Sequence, residues 1–218
     1  MDARPPALAS FPRLYAILDL DLAQARGYDP RALLSAWLAA GVRLIQLRGK
    51  RRSFGELQAH ADRMAADCRA AGATFIVNDR ADVARLAGAA GVHLGQADLS
   101  VGEARRILGA DGIVGLSTHS EAQLSRALGE AVSYVAIGPV YPTQTKTNAD
   151  AVVGLPGVRS AAARMAASGL PLVAIGGITI DTAPAVLSAG ATSVAVVSGL
   201  LPETDGDPVA RAWVRRLG

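Results

Sequence analysis

Cysteine, lysine and aromatic residues are all scarce in this chain. A single cysteine, Cys68, stands among 218 residues, so no internal disulfide can form and no cysteine pair is available to hold zinc. It falls in a helical pattern, where a lone thiol is expected to pack as a small hydrophobe. No apolar run reaches membrane-spanning length, and the residues before Arg13 carry no apolar segment of the signal-peptide kind. A soluble, cytoplasmic protein with no membrane partner is therefore expected. Aromatic residues make up 4% of the chain, and the one dense cationic stretch, Arg48 to Arg52, has none interleaved. The net charge of +3 and a pI near 9.4 thus fit a small phosphorylated ligand better than a nucleic-acid track. Several chemistries lack their residues altogether: there is no nucleophilic cysteine, no Ser-His-Asp arrangement and no HExxH helix.

Half of the residues are apolar, dominated by small and aliphatic types, which suits a parallel sheet covered by alanine-rich helices. Short apolar runs recur eight times: Leu14 to Leu18, Leu44 to Leu47, Thr74 to Val77, Gly91 to Leu94, Ile113 to Leu116, Tyr134 to Ile137, Leu172 to Ile175 and Ser193 to Val197. Helical patterns lie between them at Pro30 to Ala40, Phe54 to Ala71, Val101 to Leu108, Glu121 to Leu128, Gly157 to Ala167, Thr182 to Ser188 and Pro208 to Leu217. Asp29-Pro30 and Asp207-Pro208 place a capping residue before a first-turn proline, and Thr118-His-Ser-Glu121 reads as a capping box. Gly41, Gly72, Gly169 and Gly190 follow helix ends. Strict βα alternation over residues 1–218, with no second composition regime, predicts a single-domain (β/α)₈ TIM barrel of the α/β class.

In such barrels the chemistry sits at the C-terminal ends of the strands, and most of the polar residues that interrupt the apolar rhythm fall there. After strand 2, alternation points Gln46, Arg48 and Lys50 to one side. With Asn78 they form a donor cluster suited to a polyphosphate. Asp79 and Asp98 end adjacent strands, so their carboxylates can converge, and two carboxylates beside bound phosphates are what Mg²⁺ requires. Salt bridges to Arg80 or Arg105, or helix capping, are the plain structural alternatives. Ser117 can donate to the same phosphates or cap the next helix. Gly176-Gly177 and Ser198-Gly199 offer backbone amides at the usual position for a single phosphate. Between the two anion sites lies Gly138-Pro-Val-Tyr-Pro-Thr-Gln-Thr-Lys146, with Thr143, Thr145 and Lys146. Only Lys50 and Lys146 among the 22 basic residues are lysines; a compact ammonium in an arginine-rich chain suggests a site that wants a point charge. His93 reads as a core or supporting histidine and His60 as an exposed helical one, while His119 has no assigned role.

These stretches, Gln46-Leu-Arg-Gly-Lys50, Asn78-Asp79, His93-Leu-Gly-Gln-Ala-Asp98, Gly115-Leu-Ser-Thr-His119, Gly138 to Lys146, Gly176-Gly-Ile178 and Val197-Ser198, resemble the thiamine phosphate synthase family in order from strand 2 to strand 8. Gly49 and Gly199-Leu200 depart from the usual pattern. The resemblance implies a transferase that joins 4-amino-2-methyl-5-hydroxymethylpyrimidine diphosphate to 4-methyl-5-(2-hydroxyethyl)thiazole phosphate. Its dissociative route has pyrophosphate leave before the thiazole nitrogen attacks. It further implies that Gln46, Arg48, Lys50, Asn78 and Lys146 hold the diphosphate, that Asp79 and Asp98 hold Mg²⁺ as cofactor, and that Ser117 donates to the leaving group. Lys146, Arg48 and Ser117 are the residues expected to act in catalysis. Thr143, Thr145, Gly177, Val197 and Ser198 would hold the thiazole phosphate. The substrates are small molecules, and a homodimer is a compatible assembly. Three other readings use parts of the same pattern: a thiazole tautomerase-like isomerase, a non-catalytic phosphate-binding barrel, and a phosphosugar-isomerase or indole-type barrel. The first is not expected to hold Asp79, Asp98 and Lys146 together, the third leaves the carboxylate pair and Lys50 without a task, and metal-dependent thiamine phosphate formation would exclude the second.

Overall fold

The computed structural model describes residues 11–143, 150–202 and 209–218. Eight parallel strands close into a barrel in chain order, with β1 (Leu14–Asp19) hydrogen-bonded to both β2 (Leu44–Arg48) and β8 (Ser193–Val196). Between them run β3 (Thr74–Asn78), β4 (Gly91–Leu94), β5 (Ile113–Thr118), β6 (Tyr134–Ile137) and β7 (Leu172–Ile175). The outer helices are α1 (Leu20–Ala25), α2 (Pro30–Ala40), α3 (Phe54–Ala70), α4 (Ala81–Ala87), α5 (Val101–Leu108), α6 (Glu121–Leu128), α7 (Gly154–Met165), α8 (Ala183–Ser188) and α9 (Val209–Leu217), with a 3₁₀ turn at Ser198–Leu200. The expected (β/α)₈ barrel is therefore present.

Alternation along each strand divides the core in two. One set of strand residues packs outward against the helices in a continuous apolar layer that includes Leu18, Ile45, Val77, Val92 and Val194. The other set fills the barrel itself: Tyr15, Ile17, Leu44, Ile76, Ile113, Tyr134, Ala136, Val173 and Ala195. Burying each large aliphatic side chain contributes roughly 1.5–3 kcal/mol. Continuing the inward parity toward the C-terminal ends leads to Asp19, Gln46, Arg48, Asn78, His93 and Ser117. The barrel is thus apolar at its floor and polar at its mouth.

Local signals place most boundaries, and the departures are few; α7 begins at Gly154, three residues before the expected start, and ends at Met165. Helices α1 and α4 are absent from the sequence reading; each has six or seven residues, fewer than two full turns of apolar period, although the equally short α8 was read. The capping box expected at Thr118 to Glu121 does not form. Strand β5 runs on through Thr118, whose buried hydroxyl donates to Ala136 O at 2.9 Å, and Ser120 caps α6 instead. True reciprocal boxes occur at Ser53/Glu56 and Ser100/Glu103. The Asp29 cap before Pro30 forms as expected; Asp207 and Pro208 lie outside the described residues.

Candidate active site

At the β1/β2 corner, Asp19 is almost fully buried, and its carboxylate accepts from the backbone of Asp21 and Leu22, each at 3.0 Å. The same carboxylate pairs with the Arg48 guanidinium. This carboxylate therefore both caps α1 and fixes Arg48 at the mouth. Burial of the pair against a sheet end limits solvent screening, unlike the exposed pairs of the outer helices. Asp19 was not picked out from the sequence, although an aspartate directly before a helix start is itself a capping signal.

One strand further, Lys50 Nζ lies 2.6 Å from Asp79 Oδ2. Asp79 has a left-handed backbone, φ +64°, the only non-glycine with positive φ among the described residues. That conformation costs an ordinary residue about 1 kcal/mol; its backbone N–H donates to His93 O at 2.8 Å, so the pairing of β3 with β4 holds it in place. The Asp79 carboxyl also lies against that of Asp98, which accepts from Gly95 N at 2.7 Å. Burial pushes the Asp79 pKa up and the Asp98 contact adds to it, while Lys50 opposes both. The alternative salt bridges do not form, since Arg80 pairs with Asp82 and Arg105 bonds the carbonyls of Ala131 and Gly112 and the Ser133 hydroxyl; nor does either carboxylate cap a helix, α4 having no side-chain cap and α5 being capped by Ser100. Two touching carboxylates need a proton or a cation between them.

Ser117 Oγ lies 2.8 Å from His93 Nε2. His93 Nδ1 lies 2.9 Å from Tyr134 Oη, Tyr134 Oη 2.9 Å from Tyr15 Oη, and Gln46 Nε2 donates to Tyr15 Oη at 2.8 Å. Burial drives the His93 pKa down to about 4, so the imidazole is neutral at physiological pH. Gln46 accordingly spends a donor below the mouth. His119 Nδ1 contacts Gly138 O at 2.7 Å, tying the end of β5 to the loop after β6.

Across the mouth, that loop runs back over β7: Val140 N donates to Ile175 O at 2.9 Å and Tyr141 N to Gly176 O at 3.0 Å. Gly176 (φ +103°) and Gly177 (φ +62°) lie against it so closely that an added Cβ would meet Pro139 Cβ at 2.6 Å and Pro142 O at 2.5 Å respectively. These glycines are thus required by packing as well as available for ligand contact. The turn after β8 is braced by three aromatic side chains. Trp37 Nε1 donates to Leu200 O at 3.2 Å, Trp213 Nε1 to Gly199 O at 2.8 Å, and Tyr28 Oη to Pro202 O. Ser198 and Gly199 are exposed on that turn, and the first N–H groups of a helical turn have no partner within it.

Residues 14–200 match the family model described as thiamine monophosphate synthase. The chain belongs to this family. It is 43% identical over 204 residues to a thiamine-phosphate synthase of Methanoculleus marisnigri, covering 94% of each chain. It is 45% identical to one from Koribacter versatilis, covering 92% of each. A thiamine phosphate pyrophosphorylase of Pyrococcus furiosus superposes with a TM-score of 0.80 at 29% identity, over 94% of both chains. Within this thiamine monophosphate synthase barrel, Arg48, Lys50, Asp79, Asp98 and Ser117 come together around the ends of β2 to β5. Asn78 ends β3 beside them. Gly177, Val197 and Ser198 lie at the ends of β7 and β8, and Thr143 on the loop after β6. Thr145 and Lys146 lie outside the described residues. His60 is half-buried on α3, where an exposed position was expected. No described helix is long and apolar enough to cross a membrane.

Proposed function

We propose that this mouth condenses 4-amino-2-methyl-5-hydroxymethylpyrimidine diphosphate with 4-methyl-5-(2-hydroxyethyl)thiazole phosphate, giving thiamine phosphate and pyrophosphate. The observation that carries the reading is the contact of Asp79 with both Asp98 and Lys50 at the barrel mouth, in a chain that matches the thiamine monophosphate synthase model over residues 14–200.

The donor set suits Mg²⁺. No group of three or more His, Cys, Asp or Glu side chains gathers among the described residues, yet Mg²⁺ takes one or two carboxylates and fills its remaining positions with water and substrate phosphate. Asp79 and Asp98 would hold it, and once bound it would neutralise charge on the diphosphate oxygens. Lys50 and Arg48, with Asn78, bind the diphosphate from the β2 and β3 side, and Asp19 keeps Arg48 oriented. Ser117 donates to the oxygen that becomes free pyrophosphate. Loss of pyrophosphate breaks the C–O bond and leaves an electron-poor pyrimidine methylene, which the pyrimidine amino group stabilises. The thiazole nitrogen then supplies the electron pair for the new C–N bond. The exposed turn after β8 and the Gly176-Gly177 corner hold the thiazole phosphate, which fixes the acceptor opposite the leaving group. Lys146 and Thr145 join these roles on sequence grounds. Such a site needs no strong base, because no C–H bond is broken, and it works by placing positive charge where negative charge develops.

The deciding experiment mixes purified protein with both heterocycles and Mg²⁺ and measures thiamine phosphate and pyrophosphate. Equimolar formation of the two is expected; no product under saturating substrates and metal would refute the assignment.

A further inference from the structure

The geometry points to His93 as a positioning residue, the last link of a one-way hydrogen-bond relay that aims the Ser117 hydroxyl at the leaving diphosphate. The inference rests on the condensation proposed above but adds a device to it. The relay crosses the barrel interior from β2 to β5 through residues of β1, β6 and β4. Gln46, Tyr15, Tyr134 and His93 are all at least nine-tenths buried, so water cannot substitute for a missing partner.

Donor counting sets its direction. The Gln46 amide nitrogen can only donate, so Tyr15 Oη accepts from it and has one proton left, which goes to Tyr134 Oη. Tyr134 Oη, having accepted, donates its own proton to His93 Nδ1. An accepting Nδ1 places the single proton of a neutral imidazole on Nε2, and Nε2 donates to Ser117 Oγ. Ser117 therefore cannot spend its proton on His93, and its O–H is left for a substrate oxygen. The fold supports the arrangement sterically. Gly115 has no Cβ where one would fall inside the Tyr134 phenol. The His93 ring stacks on Tyr134 with centroids 5.5 Å apart and planes 19° from parallel.

The test reads the His93 tautomer by nitrogen NMR in ligand-free, ¹⁵N-histidine-labelled protein, with His93→Gln identifying its signals among the three histidines. The expected spectrum has the proton on Nε2 and a hydrogen-bonded, unprotonated Nδ1. Tyr134→Phe should shift the Nδ1 resonance and lower kcat about tenfold with both KM values within about twofold, the pattern of a misaimed transition-state donor. A proton on Nδ1 in the wild-type protein would mean that the relay runs the other way, with Ser117 donating to His93, and would overturn the proposal. So would Tyr134→Phe turning over like wild type. The tautomer is measured without substrates, so a protein that makes no thiamine phosphate yet shows the Nε2–H form would fail the functional assignment and leave the relay standing.

Discussion

Asp79 concentrates the conflict between stability and use. Its backbone is left-handed and its carboxylate touches another carboxylate, and burial holds its pKa above the ordinary 3.8. A carboxylate with a raised folded-state pKa binds its proton more tightly when folded, so its ionised form costs stability above that pKa and nothing below the unfolded value. Asp79→Asn, which tolerates the same backbone, should therefore raise the melting temperature at neutral pH. The gain should disappear as pH falls toward 3.8; thermal melts across that interval check it, and a variant less stable than wild type at neutral pH would contradict it. His93 slopes the other way. Its pKa lies near 4 against an ordinary 6.5, so the unfolded chain binds the extra proton between those values and stability falls as pH drops through that window. Denaturant titrations should show His93→Gln losing less stability than wild type between pH 6.5 and pH 4, the difference amounting to at most a few kcal/mol. Equal losses in the two proteins would mean that His93 is protonated without cost.

The turn after β8 shows how whole elements position single groups. Helices α2 and α9 each send a tryptophan to its carbonyls, so the amides of Ser198 and Gly199 are held by residues far away in sequence. Trp213→Phe keeps most of the packing but loses the hydrogen bond to Gly199 O. The KM for the thiazole phosphate should rise several-fold while the KM for the pyrimidine diphosphate stays put; steady-state kinetics with each substrate varied would show this, and parallel changes would place the turn outside the acceptor site. Strands and most helices were legible in the sequence, because apolar alternation and capping residues are local signals, though α7 starts at Gly154 where Gly157 was read. So was the meeting of Asp79 and Asp98, since adjacent strands in a parallel barrel bring their C-terminal ends together; the ion pair of Asp79 with Lys50 was not. The Asp19 pairing with Arg48 and the relay through Tyr15 and Tyr134 were not. Tyr15 and Tyr134 read as ordinary members of apolar runs, and only barrel closure brings their hydroxyls face to face. The role given to Thr118 failed for a related reason, because the length of β5, set by pairing with β6, decided which hydroxyl could reach a helix end.

Across the molecule the two proposed anion sites fall on separate arcs: a carboxylate-and-cation arc at the ends of β2 to β5 and an amide-and-glycine arc at β7 and β8. Packing accounts for part of the second arc, since Gly176 and Gly177 are squeezed against the loop after β6. Gly177→Ala should cost roughly 2 kcal/mol or more in denaturant-measured stability, from overpacking and the left-handed backbone combined; an unchanged midpoint would show that the loop moves aside freely. The proposed condensation depends on the first arc being a metal-assisted diphosphate site, independent of the second. The most direct measurement is calorimetric binding of inorganic pyrophosphate, with and without Mg²⁺, to wild-type protein and to Asp98→Asn, alongside binding of the thiazole phosphate. We expect pyrophosphate to require Mg²⁺ and to bind the variant at least about tenfold more weakly, with thiazole phosphate affinity unchanged. Pyrophosphate binding that ignores both the metal and the substitution would contradict it.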